Sequence, residues 1–169
     1  MSFQRVRPED LTDNAFTLIG KDWMLVTAAR PDGSLNTMTA SWGGVGILWG
    51  KPVAFVFIRP QRYTKEFIDQ SQHLSLCFLP EGYRKQLNYL GTVSGRDEDK
   101  IAQAGLMPAQ EDGIPYFKEA KLALLCCKLY AQPMQPDCFL DPDLDGRWYA
   151  DKDYHTVYVV EIEQALVQR

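Results

Sequence analysis

The sequence predicts a mainly β fold with peripheral helices, an antiparallel barrel that is closed or partly closed on itself. Three observations carry this reading. The apolar runs are short and separated by turn signals. The strands they define outnumber and outlast the helices. No repeat, low-complexity segment or linker rich in Pro, Gly or Ser divides the 169 residues, so residues 1–169 are expected to form one domain.

Trp23 to Ala29 reads as the first strand. Arg30-Pro31-Asp32-Gly33-Ser34 follows as a turn, because Pro fixes φ and Gly tolerates positive φ. Leu35 to Ser41 returns as the second strand of a hairpin. Val53 to Ile58 is a buried strand by its apolar continuity. Leu74 to Leu79 is another, closed by Pro80, and Leu122 to Leu129 and Thr156 to Ile162 complete the set. Three short helices are expected. One starts at Thr64 as N-cap and runs through Phe67 and Ile68. One covers Tyr83 to Leu90. One follows Ser94, with Asp97 at capping-box spacing, and stops at Gly105. Cys138 to Asp153, with five aspartates, reads as a long surface loop: a lid, a dimer arm or an inert connection.

Composition narrows the function classes. Hydrophobic residues are 46% and charged residues 24%, ordinary for a globular protein. The formal net charge of −4 gives no general reason to bind nucleic acid or an anionic membrane. No apolar run approaches the ~20 residues of a membrane-spanning helix, and the first ten residues lack the apolar core of a signal peptide. The four cysteines, Cys77, Cys126, Cys127 and Cys138, show no CxxC spacing and read as buried reduced thiols of a cytoplasmic protein. Cys126 and Cys127 should face opposite sides of one strand. No metal site is expected, since zinc would need further well-placed ligands and the only histidines are His73 and His155.

Two segments carry candidate chemistry. Asn36-Thr37-Met38-Thr39-Ala40-Ser41-Trp42-Gly43-Gly44-Val45-Gly46 begins as a strand of small and polar residues and ends in three glycines within four positions. Small side chains let a flat ligand lie against the backbone, although a glycine-rich β-bulge would look the same. Ile58-Arg59-Pro60-Gln61-Arg62-Tyr63-Thr64-Lys65 leaves a buried strand and enters a helix. Two arginines, a lysine and a hydroxyl at a helix N-terminus suit a phosphate, and equally a solvated basic turn. The sequence has neither GxGxxG after a strand nor GxxxxGK[ST], which disfavours a Rossmann dinucleotide and a P-loop nucleotide. A planar ring joined to one phosphate fits better.

Asn36 to Gly44, Arg59 to Thr64 and Ser94-Gly95-Arg96-Asp97-Glu98-Asp99-Lys100 together closely resemble the flavin-reductase-like family with the FMN-binding split barrel, the flavoredoxin group. The resemblance runs from about Trp23 to Ile162. It implies a six-stranded split barrel that dimerises with FMN near the subunit interface. By the same resemblance, Met38, Thr39, Ala40, Ser41 and Trp42 lie along the flavin. Arg59, Arg62, Tyr63, Thr64 and Lys65 hold the ribityl phosphate, and Lys100 has a cofactor role. His155 matches a position where relatives carry an Asp-His pair. Here Tyr154 precedes it and Asp153 is one further back, so His155 remains a candidate rather than an assigned hydride-site residue.

With FMN bound, no side chain need act as acid, base or nucleophile, since the cofactor carries the chemistry. The expected activity is that of an NAD(P)H-dependent flavin reductase acting as a homodimer, with NADH or NADPH as donor. One rival is an FMN electron carrier without its own nicotinamide site. Another is a β-barrel nucleic-acid module using Arg59, Arg62 and Lys65 with aromatics, against which the net charge weighs.

Overall fold

The computed structural model describes residues 2–169. In chain order it contains β1 (Phe3–Val6), α1 (Ala15–Thr17) running into a wider helical turn over Leu18–Asp22, β2 (Met24–Ala29), β3 (Leu35–Ala40), β4 (Gly43–Leu48) and β5 (Lys51–Ile58). Next come α2 (Tyr63–Gln70), β6 (His73–Phe78), α3 (Arg84–Thr92), α4 (Lys100–Gln103), β7 (Pro108–Glu111) and β8 (Ile114–Phe117). The chain ends with β9 (Leu122–Pro133), α5 (Pro142–Trp148) and β10 (Thr156–Gln168).

Eight strands form one sheet in the order β3-β2-β6-β9-β10-β5-β4, with β1 added on β10, and β7 and β8 form a separate hairpin. Every pairing is antiparallel. One edge of β10 is shared, its first half by β5 and its last four paired residues by β1. The end strands β3 and β4 do not pair with each other. The barrel is therefore open along one seam, crossed only by the connection Ser41-Trp42. The main sheet has eight strands where the resemblance implied six.

Strand β2, strand β6 and the first half of β9 are mostly apolar because both their faces are covered. Met24, Val26, Leu74, Leu76, Leu124 and Cys126 point into the barrel with Ala54, Val56, Tyr158 and Val160. Leu25, Cys77, Ala123 and Leu125 face the other way, under Leu87 and Leu90 of α3, Ile101 of α4 and Ile114 and Phe117 of β8. Burying a Leu or Phe side chain contributes roughly 1.5–3 kcal/mol, so this second layer is a major part of the fold.

Two hairpins missed by the strand reading were signalled by their turns. Asp112 and Gly113 both have positive φ (52° and 79°) between β7 and β8, and Trp49 and Gly50 do the same (53° and 70°) between β4 and β5. Two consecutive positive φ values are the geometry of a tight two-residue hairpin. The glycine-rich stretch proves to be β4, and Gly43 is the position that demands glycine. Its φ is 152°, and a Cβ there would stand 2.7 Å from the Phe55 carbonyl oxygen. Gly43→Ala is expected to destabilise the fold by about 1–3 kcal/mol, from overpacking against a backbone that cannot yield. At Gly44 the nearest atom to an added Cβ is Phe55 Cδ2 at 3.7 Å, ordinary contact. Urea unfolding should therefore show a lower midpoint for Gly43→Ala than for Gly44→Ala.

Other expectations need correction. β9 and β10 run beyond the expected ends at Leu129 and Ile162, to Pro133 and Gln168, because they pair with each other along their length. Arg62, not Thr64, is the N-cap residue of α2. Thr64 is buried inside the first turn, where its hydroxyl accepts a hydrogen bond from Asn36 Nδ2 at 2.9 Å. The cap of α4 is Asp99, which accepts from the Ala102 amide, whereas the Ser94 hydroxyl accepts from Arg96 in a turn. The Asp-rich segment contains α5, whose cap Asp141, first residue Pro142 and last-turn Arg147 are all favourable for a helix. Cys77 and Cys126 are buried and Cys127 is half-buried, but Cys138 is exposed. Among the described residues no helix is long and apolar enough to cross a membrane.

Candidate functional site

The site lies at the open seam. Met38, Thr39, Ala40, Ser41 and Trp42 leave β3 along one wall of a cavity of about 320 Å³. Phe57 and Arg59 from the end of β5, Arg62, Gly91 from α3, Trp148 from α5 and His155 at the start of β10 complete it. A smaller cavity of about 60 Å³ lies beyond the shared residues Met38 and Arg62, lined also by Asn36, Tyr63, Thr64, Ser94 and Lys100. That is room for a few waters or a small polar group. Nearly all the sequence-selected residues thus converge on two adjoining spaces. Lys65 does not line either. It is in the first turn of α2 with its ammonium 2.7 Å from Asp69 and over the Tyr158 ring.

The two arginines differ in kind. Arg59 donates to Asp153 Oδ2 at 2.7 Å and to the Trp148 carbonyl at 3.0 Å, and its guanidinium stacks over Tyr149. Gln61 donates to the same Asp153 oxygen, and these hydrogen bonds hold the Asp153 carboxyl below its ordinary pKa. Arg59 is therefore neutralised and ties the turn after β5 to the segment carrying α5. Arg62 has no such partner. It donates to the Gly91 carbonyl at 2.9 Å, and burial alone pulls its pKa down.

Lys100 is the second unneutralised cation. The residue is 3% exposed, and its ammonium donates to the carbonyls of Leu90 and Val93 at 2.8 and 2.9 Å, at the C-terminal end of α3. Burial, then the charge of Arg62, lowers its pKa to about 8. Among the described residues no carboxylate forms an ion pair with either Arg62 or Lys100. Two like charges, one buried and one half-buried, facing one small cavity beside the first turn of α2 are an arrangement that an anion would relieve.

The wall between them is tight. A Cβ on Gly95 would fall 2.2 Å from Asn36 Oδ1, so a side chain there would have to displace the Asn36 amide. Behind it, a larger cleft of about 540 Å³ includes Arg30, Glu98 and Asp99. Arg30 is already paired with Glu66 at 2.9 Å, and the carboxylates make that cleft a poor host for an anion.

At the other end the site is aromatic. Trp42 meets Trp148 edge-on at 4.9 Å and lies 5.4 Å from His155. His155 is buried, and its Nδ1 shares a 2.7 Å hydrogen bond with the Tyr149 hydroxyl. Burial, with the nearby Arg59 charge, pushes its pKa down to about 4, so the imidazole is neutral near pH 7. Phe57, Gly91 and Trp148 were not selected from the sequence. Trp148 was legible only as part of an undefined loop, and Gly91 had no local signal because it acts through its carbonyl and through close approach to Thr39.

The fold has many solved counterparts. A flavoredoxin from Methanosarcina acetivorans superposes with a TM-score of 0.71 at 21% identity, over 97% of this chain and 77% of that one. The flavoredoxin of Desulfovibrio vulgaris (Miyazaki F) gives 0.68 at 23% identity, over 87% and 69%. An FMN-binding domain of a flavin reductases-like enzyme from Shewanella baltica OS155 gives 0.69 at 18% identity, over 98% and 76%. At these identities the likeness establishes the split-barrel fold. No curated protein matches the chain. The model of the flavin reductase like domain matches residues 17–169, and the chain belongs to that family.

Proposed function

We propose that the chain binds FMN at the seam and works as an NAD(P)H-dependent flavin oxidoreductase. The observation that carries the reading is a pair of cations without a carboxylate partner, half-buried Arg62 and buried Lys100, facing a small cavity that adjoins a larger, ring-sized one. They would hold the phosphate together with the first amides of α2. Met38 to Trp42 would line the ring, with Phe57 and Trp148 closing it off from water. Arg59 belongs to the frame of the site rather than to the phosphate, since Asp153 already neutralises it. When bound, FMN supplies the redox chemistry: acceptance of a hydride from NADH or NADPH and delivery of electrons onward. Neutral His155 and Tyr149 then orient the ring's surroundings without adding charge.

The reading takes residues 1–169 as one domain, supported by the pairing of β1 with the end of β10, and it includes a homodimer. Exposed Trp42 and Trp148 at the cavity mouth support the dimer, as does the apolar strip running from Phe57 to Phe55, Tyr130 and Trp49 on the same face. A closed two-fold pair would cover it.

The test is an anaerobic titration of purified, FMN-loaded protein with NADH and with NADPH. Bleaching of the flavin band within seconds to minutes by one of them is expected. Retained flavin with no bleaching by either would leave an electron carrier. A colourless protein that takes up no FMN would refute the cofactor assignment itself.

A further inference from the structure

We propose that His73, Cys127 and Glu163 form a binding site for a divalent cation of zinc's class, on the face of the sheet away from the seam. A ring nitrogen of His73, the Cys127 thiol and a carboxylate oxygen of Glu163 all lie within 4.8 Å of one another. His73 Nε2 stands 3.7 Å from Glu163 Oε2. Ligand atoms around four-coordinate zinc, with bonds of about 2.0–2.3 Å, are roughly 3.5 Å apart. The remaining distance is a rotamer adjustment of half-exposed side chains.

The backbone builds this cluster from three adjacent strands. His73 of β6 sits directly opposite Cys127 of β9. On β10 the register slips between Ile162 and Gln164, so Glu163 is an extra residue that opposes no β9 residue. In an unbroken register Glu163 would face Leu125, which is fully buried. The slip gives that place to Gln164 and frees the carboxylate to reach the His-Cys pair. Re-aiming a side chain in this way is a usual consequence of a β-bulge. Gln72 Nε2 donates toward the Cys127 sulfur at 3.4 Å.

The donor set selects the ion. Calcium and magnesium take oxygen ligands, whereas one imidazole, one thiolate and one carboxylate suit a borderline-soft dication. Thiolate and carboxylate together carry the two negative charges that such an ion neutralises. The side chains of His73 and Glu163 are 41% and 42% exposed, which leaves an entry path and a fourth position for water. The next residue on β9, Lys128, has its ammonium tied to the Ile68 carbonyl at 2.6 Å. None of the three ligands lines the seam cavity, so this site is separate from the cofactor.

The metal-free full chain is titrated with Co2+, then with Zn2+ against a chromophoric chelator. Expected is one equivalent of cobalt showing a thiolate-to-cobalt band and four-coordinate visible bands, displaced by zinc. Cys127→Ser and Glu163→Gln should each lower zinc affinity by at least about tenfold, since losing even an outer partner of a ligand costs that much. Cys138→Ser should leave it unchanged. Absence of the thiolate band, or zinc affinity in Cys127→Ser equal to the parent's, overturns the site. The readout is independent of flavin, so its failure leaves the FMN reading standing, and the reverse.

Discussion

Arg62→Ala should weaken FMN binding by about ten- to hundredfold while changing riboflavin affinity little. The range follows from the roughly 1.5–3 kcal/mol of a hydrogen bond to a charged group, at 1.4 kcal/mol per tenfold. The contrast between ligands isolates the phosphate, because riboflavin carries the same ring without it. Arg59→Ala should behave differently. Its guanidinium is spent on Asp153 and Trp148, so its loss loosens the frame around both ligands alike. Fluorescence titration of each variant against both flavins makes the comparison. If Arg59→Ala, and not Arg62→Ala, discriminates FMN from riboflavin, the phosphate site has been assigned to the wrong arginine.

Relative to Lys100→Met, the flavin-free protein should gain up to about 3 kcal/mol of stability as pH rises from 8 to 10.5. Lys100 releases its proton near pH 8 in the folded chain and near its ordinary 10.5 in the unfolded one. Between those values the unfolded state holds more protons, so raising the pH favours folding. Below pH 8 the whole penalty for burying the charge beside Arg62 is present. The size is the 2.5-unit gap at about 1.36 kcal/mol per unit. Saturating FMN should flatten this dependence, because a phosphate beside the ammonium restores its preference for the proton. Urea unfolding at a series of pH values, with and without FMN and in Lys100→Met, tests it. An equal slope in Lys100→Met would assign the effect to other groups.

Much of the barrel was legible because several strands are buried on both faces and read as mostly apolar runs, as Met24 to Ala29 and Leu122 to Cys126 do. What was not legible depended on partners distant in sequence. The extra residues of β9 and β10 are held by each other, and β1 is a four-residue strand stabilised by the end of β10. The candidate site was legible as two local segments, Met38 to Trp42 and Arg59 to Thr64. Their division of labour was not. That Asp153 neutralises Arg59, while Arg62 and Lys100 share a pocket without a counter-charge, is decided by residues 38 to 94 positions apart. Thr64 shows the same limit: at the start of a helix a threonine reads as a cap, but Asn36 already uses its hydroxyl.

The unpaired seam between β3 and β4 has a kinetic meaning. A sheet edge carries backbone groups with no strand to bind, and such edges open at free energies well below that of global unfolding. The amides of Thr37 to Trp42 should therefore exchange with solvent deuterium far faster than those of β9 and β10, which have neighbours on both sides. A ligand that fills the seam takes the place of the missing strand for that segment. Protection factors along β3 would then rise with occupancy while those of β9 stay level, making the slit in the barrel a built-in gauge of whether the protein is loaded.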